Sequence, residues 1–193
     1  MGFVISAIIA YLLGSVSCAI LVAKYCKLPD PRDHGSGNPG TTNVWRMSGR
    51  QAGLYVLLGD GLKGTLAVLV AHWIGVHGIA LGLIALIVVI GHIFPVYFKW
   101  KGGKGVATAA GAILGLSFWV GLLLIATWII VAAIFRYASL ASLTLSVAAP
   151  IYLLIAHDTR YVFPVFLITI LIIWKHWDNI EKLRKGTESK INF

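Results

Sequence analysis

Six long apolar runs separated by short polar segments make up most of this chain of 193 residues. They fall at residues 3–26, 54–73, 79–98, 106–135, 139–156 and 161–174. Runs of this length with few charges read as membrane-spanning α-helices. The run at 106–135 is longer than a single span needs and contains Gly111, Gly115 and Gly121. It predicts either one long tilted helix or two short ones joined by a turn near Ser117–Gly121. The expected fold class is an all-α polytopic membrane protein, a single integral domain over residues 1–193.

Charge decides between the two readings of that run. With the N-terminus outside and the run split, the chain has seven spans, and 27–53, 99–105, Arg136–Tyr137 and the C-terminus all face the cytoplasm. Of the 16 Lys and Arg residues, only Arg160 then lies outside. Six spans would expose the tail residues Lys175, Lys182, Arg184, Lys185 and Lys190 instead. The positive-inside rule therefore favours seven. The consequence is two spans of about 14–15 residues, below the usual ~17–25, which need local thinning or a partly re-entrant path. The N-terminus lacks a basic start, and Lys24 and Lys27 follow the first apolar run, so it reads as an uncleaved span rather than a secretory signal.

Composition agrees. The chain is 59% hydrophobic and 12% charged, with a mean hydropathy of +0.87. Its net charge of +9 sits in loops, where it sets membrane orientation, and no nucleic-acid module fits between the spans. Cys18 and Cys26 are about 12 Å apart on a helix, too far to bridge, and read as small packing residues.

Three polar, glycine-rich segments carry the chemistry. The first, His34–Arg46, holds Ser36, Gly37, Asn38, Gly40, Thr41, Thr42, Asn43 and Arg46. Backbone N–H groups freed by glycine can converge on an anion, hydroxyls add donors, and arginine grips phosphate with two nitrogens. Turn-forming residues also make ordinary loops, but a turn alone does not call for such a density of donors beside an arginine. The second segment holds Gly102, Gly103, Lys104 and Gly105 at the start of an apolar helix, where anions are favoured. It lacks the GxxxxGK[ST] spacing, so nucleoside triphosphate binding is not implied. The third offers His176 and Asn179 on one helix face, with Glu181 nearby. Trp174, Trp177, Ile180 and Leu183 form an apolar stripe there, as expected of a helix leaving the bilayer along its interface. If the three segments share one membrane face, they build one phosphate-handling site at the lipid surface.

Other polar groups lie in or at the ends of spans. Asp60 and Lys63, three residues apart, form a pair that neutralises itself. His92 reads as a hydrogen-bonded core residue. Ser139 and Ser142 either cap the sixth span, over 139–156, or face the site. No HExxH, paired-cysteine or acidic cluster suggests a metal.

The segments SGNPGTTNVWR, GHIFPVYFKWKGGKGVAT and KHWDNIEKLRKGTE, with GDGLKG between the first two, resemble the bacterial PlsY family of acyl-phosphate:glycerol-3-phosphate acyltransferases. The resemblance covers almost the whole chain. It implies a seven-span enzyme of the bacterial cytoplasmic membrane with its site facing the cytoplasm. The implied reaction moves a fatty acyl group from acyl phosphate to the sn-1 hydroxyl of glycerol 3-phosphate, giving lysophosphatidic acid and phosphate. It implies a catalytic set of Ser36, Arg46, Lys104, His176 and Asn179. Gly37, Asn38, Gly40, Thr41, Asn43, Gly102, Gly103, Gly105 and Ser142 are expected to bind substrate. No cofactor, metal, nucleic acid or obligate protein partner is expected beyond the two substrates and the bilayer. The HxxxxD dyad of acyltransferases that use acyl-CoA or acyl carrier protein is absent, since five residues after His176 stands Glu181. No residue stands out as general base, so a substrate phosphate oxygen is the expected proton acceptor. A transporter of a small phosphorylated metabolite is the alternative, but it would place its basic residues at mid-membrane and show repeats. A CDP-alcohol phosphotransferase would need clustered aspartates, which are missing.

Overall fold

The computed structural model describes residues 1–191, and every regular element among them is helical. Ten α-helices follow in order: α1 Gly2–Ser15, α2 Cys18–Tyr25, α3 Thr41–Ser48, α4 Arg50–Trp73, α5 Gly78–Ile93, α6 Val106–Leu116, α7 Phe118–Phe135, α8 Ala138–Ile155, α9 Val162–Lys175 and α10 Trp177–Arg184. Four stretches are long and apolar enough to cross a membrane alone: α4, α5 with the 3-10 turn after it, α7 and α8. The number rises to six if each of the bent pairs α1–α2 (44°) and α9–α10 (59°) counts as one span.

The run at 106–135 is broken. Ser117 is extended (φ −148°, ψ 99°) and separates α6 from α7. The two halves are unequal, 11 and 18 residues rather than a balanced pair. The turn is tight because Gly121 lies on Leu114; a Cβ there would stand 2.4 Å from the Leu114 Cα. The first polar segment is also not all loop. Thr41–Ser48 forms α3, and α4 starts at Arg50, about one turn earlier than the apolar run.

Helices in lipid associate where small residues let backbones approach. Gly14 of α1 and Gly91 of α5 meet this way: a Cβ on Gly14 would lie 2.2 Å from the Val88 carbonyl oxygen. Gly111 of α6 lies on Gly61 of α4, with 2.0 Å between its would-be Cβ and the Gly61 oxygen. α5 is the centre of the bundle, with Ile84, Val88, Val89 and Ile93 fully buried among α1, α4, α6 and α9. The outward faces carry exposed apolar side chains instead, such as Ile125, Ile129 and Ile134 on α7, as a lipid-facing surface does.

Lys63 bridges the break between α1 and α2. Its Nζ donates to the Val16 carbonyl (2.6 Å), at the break between α1 and α2. It also pairs with Asp60 Oδ1 at 2.8 Å and lies 2.9 Å from His92 Nδ1. The pair Asp60–Lys63 thus neutralises itself, and His92 is a buried, hydrogen-bonded residue.

Candidate active site

A cavity of about 330 Å³ opens at the end of the bundle where α3, α6, α8 and α10 begin. The first turns of α3 (Thr41, Thr42, Asn43), α6 (Val106, Ala107) and α8 (Ala138, Ser139) all line it. A helix leaves its first backbone N–H groups unbonded and carries a partial positive charge there. None of these three first turns contains an acidic residue. Arg46 and Lys104 add full positive charges. The result is a site suited to anions.

Ser36, Asn38, Gly40, Thr41, Asn43 and Arg46 from the first segment, Lys104 and Gly105 from the second, His176 and Asn179 from the third, and Ser142 of α8 all line this one cavity. Lys104 Nζ donates to Asn179 Oδ1. Burial pulls the Lys104 ammonium down from its ordinary pKa, against the opposing pull of the Glu188 and Asp178 carboxylates. Trp128 Nε1 donates to Ser142 Oγ (3.1 Å), which itself donates to the Ala138 carbonyl (2.8 Å).

Four residues of the expected binding set behave differently. Gly37 (φ +70°) makes the turn of the loop but does not reach the cavity wall. Asn43 reaches the wall, yet its amide is spent inside the loop: Nδ2 donates to the Pro31 and His34 carbonyls, and Oδ1 accepts from the Ser36 N–H at 2.9 Å. Gly102 and Gly103 are absent from the lining. A Cβ on Gly102 would stand 2.0 Å from the His92 carbonyl oxygen, and one on Gly103 2.3 Å from His92 Nε2. The Gly103 N–H donates to the His92 carbonyl (3.3 Å). These two glycines thus pack closely on His92, and the Gly103 N–H is bonded within the protein. Only Gly105 (φ +86°) combines a left-handed backbone with a place on the wall.

Sequence reasoning missed Glu188 and looked to Glu181. Glu181 is exposed and pairs loosely with Lys185 (3.6 Å). Glu188 lines the cavity, where its Oε1 accepts from Ser139 Oγ (2.7 Å) and Asn179 Nδ2 (2.8 Å). The signal was Gly186, whose φ of +69° turns the chain back after α10. The returning segment is fastened at Ile191, whose N–H donates to the Arg136 carbonyl at 2.7 Å, and Arg46 Nη2 donates to the Ser189 carbonyl at 2.8 Å. A guanidinium has five N–H donors, so Arg46 keeps donors for a ligand.

His176 is buried, and burial holds its imidazole down to a pKa of about 4. Its Nδ1 lies 2.8 Å from the Ile172 carbonyl oxygen, which can only accept. Nδ1 therefore carries the proton, and Nε2 is left as a lone-pair acceptor in a neutral ring.

The rest of the lining is apolar: Val106, Ala107 and Ala110 of α6, Ile125, Trp128 and Ile129 of α7, Leu57 of α4 and Leu145 of α8. Leu57, Ile125 and Ile129 are also exposed, so part of this apolar lining reaches the outer surface.

Comparison with known proteins agrees with that arrangement. A family model described as glycerol-3-phosphate acyltransferase matches residues 4–186. The chain belongs to the glycerol-3-phosphate acyltransferase family. It is 62% identical over 191 residues to the glycerol-3-phosphate acyltransferase of Coxiella burnetii, covering 99% of both chains. Identity is 52% over 183 residues to that of Thioalkalivibrio sulfidiphilus, covering 94% of this chain and 90% of the relative. The fold matches crystal structures of PlsY, an integral membrane glycerol 3-phosphate acyltransferase, at 38% identity over all of this chain and 96% of that one. The TM-scores are 0.94 for its glycerol 3-phosphate form and 0.92 for its lysophosphatidic acid form. The protein is an integral membrane acyltransferase, not a transporter, and its place is in phospholipid synthesis.

His176 gives this site a pH signature. A histidine that titrates at 6.5 when unfolded and near 4 when folded binds its proton more tightly in the unfolded chain. Its contribution to stability is complete above pH 6.5 and is lost as pH falls through the 6.5-to-4 window, by roughly 3 kcal/mol in all. Thermal unfolding in detergent at stepped pH should show that decline, and His176→Asn should flatten it. An unchanged slope in the variant would mean that His176 is not held neutral.

Proposed function

We propose that this chain transfers a fatty acyl group from acyl phosphate to the sn-1 hydroxyl of glycerol 3-phosphate, yielding lysophosphatidic acid and phosphate. One observation carries the reading: a single cavity gathers two cations and three helix N-termini together with apolar side chains, three of which are also exposed at the surface. Both proposed substrates bear phosphate, and one bears a fatty chain. The two PlsY crystal forms, with glycerol 3-phosphate and with lysophosphatidic acid, support the acceptor and the product.

The residues divide the work as follows. Arg46, Lys104 and the helix N-termini of α3 and α6 hold phosphate oxygens, with Ser36, Asn38, Gly40, Thr41 and Gly105 beside them. Asn179, fixed by Lys104 and Glu188, and Ser142, fixed by Trp128, orient the glycerol end. The acyl chain enters from the bilayer past Leu57, Ile125 and Ile129 and lies on Ala107 and Ala110. The glycerol hydroxyl oxygen attacks the acyl carbonyl carbon. The carbon–oxygen bond to phosphate breaks, and its electron pair leaves with the phosphate. His176 Nε2 accepts a hydrogen bond from the attacking hydroxyl and aims it. A pKa near 4 makes that nitrogen too weak a base to keep the proton at neutral pH, so a phosphate oxygen takes it. Positioning and charge stabilisation then supply the catalysis. The donor is already activated, so the reading invokes no metal and no cofactor, and no nucleic acid or obligate protein partner.

Purified protein given labelled glycerol 3-phosphate should form lysophosphatidic acid with palmitoyl phosphate, in EDTA as well as without it. Product from palmitoyl-CoA but not from palmitoyl phosphate would refute the donor. Activity lost in EDTA and restored by magnesium would refute the metal-free route.

Residue roles are tested by Lys104→Ala and Arg46→Lys. Each should cost roughly 2–4 kcal/mol of transition-state stabilisation, by analogy with loss of one oxyanion donor. Lysine cannot reproduce the arginine fork. Wild-type kinetics in either variant removes that residue from the site.

The single integral domain crosses the inner membrane seven times in this reading: the four long stretches, the bent pair α1–α2, the short α6 and α9, with α10 along the interface. The N-terminus is outside, and the cavity and C-terminus face the cytoplasm. The distribution of basic residues supports this orientation. Single cysteines at positions 2, 157 and 190, in a background lacking Cys18 and Cys26, should label from outside at 2 and 157 only. External labelling at 190 would overturn the orientation.

A further inference from the structure

We propose that the buried cluster of Asp60, Lys63 and His92 is a positioning device that fixes the loop carrying Lys104. The proposal rests on the reading of Lys104 as a phosphate ligand.

All three side chains are buried, at 2%, 6% and 7% exposure, with Asp60 and His92 at the wall of the cavity itself. Charge so placed is costly and calls for a reason beyond self-neutralisation. Lys63 Nζ donates to the Val16 carbonyl at 2.6 Å, lies 2.9 Å from His92 Nδ1 and forms an ion pair with Asp60 Oδ1 at 2.8 Å. His92 Nδ1 is thereby an acceptor, so the ring carries its proton on Nε2, and the ring plane is fixed by the ammonium. Thr108 Oγ1, 3.2 Å from the same nitrogen, ties the ring to α6.

The other side of His92 is the bed of the glycine loop. Gly103 donates its N–H to the His92 carbonyl, and its Cα faces the ring so closely that a Cβ would lie 2.3 Å from Nε2. Gly102 lies equally close to the His92 carbonyl oxygen. The next residue is Lys104, whose ammonium reaches Asn179 in the cavity. A chain of contacts thus runs from an intramembrane ion pair, through one imidazole, to the backbone that aims a substrate-binding cation. It assigns Gly102 and Gly103 a function that needs no phosphate on their N–H groups. Asp60, Lys63 and His92 are positioning residues here, acting through Lys104.

The neutral double variant Asp60→Asn/Lys63→Met removes the ammonium from His92 without leaving an orphaned charge. It also takes the donor from the Val16 carbonyl and so lowers the thermal midpoint, but in the folded variant kcat/KM for glycerol 3-phosphate should fall about tenfold or more, mainly through KM. Wild-type kinetics in folded D60N/K63M would show that the pair only neutralises itself and would overturn the proposal. A cycle on the loop decides the matter if that variant does not accumulate. Gly103→Ala pushes its methyl into the His92 ring, so it should raise KM alone, and adding His92→Ala should give no further loss because the ring is gone. Unchanged KM in Gly103→Ala, or losses that multiply in the double variant, would overturn it. Lys104→Ala separates the two readings: wild-type kinetics there defeats the phosphate-ligand role, whereas a crippled Lys104→Ala beside an unaffected D60N/K63M defeats only the positioning role.

Discussion

Backbone groups that a helix cannot satisfy for itself govern this molecule. In hydrocarbon, an unpaired N–H or carbonyl costs several kcal/mol. Every place where a helix begins or ends inside the bundle therefore has to find a partner or open onto water. At the break between α1 and α2 the partner is Lys63, on the Val16 carbonyl. At the starts of α3, α6 and α8 the free N–H groups open onto the cavity. One physical requirement thus explains both a buried lysine and an anion site. The same N–H groups that would be a liability in lipid become ligands once they face a phosphate.

The shortness of α6 follows from the same logic. An 11-residue helix is about 16 Å long, well short of the ~30 Å hydrocarbon core. The tight Ser117 turn ends it and hands over to the 18-residue α7. Glycines on α4 and α6 then let this short helix lie directly on its neighbour, so that Ala107 and Ala110 form a smooth apolar floor beside the cationic end. Polar and greasy substrate parts meet along a helix too short to separate them.

Much of this was legible before any coordinates. Hydropathy located the spans, and charge asymmetry argued for dividing 106–135, which does break at Ser117. The spacing of Asp60 and Lys63 foretold their pairing. The site segments were visible because anion sites draw on a small set of residue types. What was not legible depended on tertiary approach. Gly102 and Gly103 look like a phosphate loop, and only the position of His92 shows that packing claims them. Asn43 looks like a ligand, and only the fold of its loop shows that its amide is already bonded on both sides. Glu188 lies in a polar tail without periodicity, and it matters because a left-handed Gly186 returns the chain to the cavity. Single sequences display residue types well and long-range satisfaction poorly.

The electrostatics of the site bear on the missing base. A strong general base beside Lys104 and Arg46 would have to hold its proton against two cations and three helix N-termini, an environment that lowers pKa. His176 shows the effect of its surroundings: burial, aided by the Lys104 charge, brings it to about 4. A site built to hold two phosphates is therefore poorly suited to hold a protonated imidazole. In the proposed reaction acyl phosphate would resolve the conflict, since the group that leaves is itself an anion able to take the proton as the carbon–oxygen bond breaks. The cationic pocket that disfavours a protonated histidine would then also stabilise the departing phosphate. An activated phosphate donor and the lack of a strong base are in that reading two consequences of one arrangement of charge.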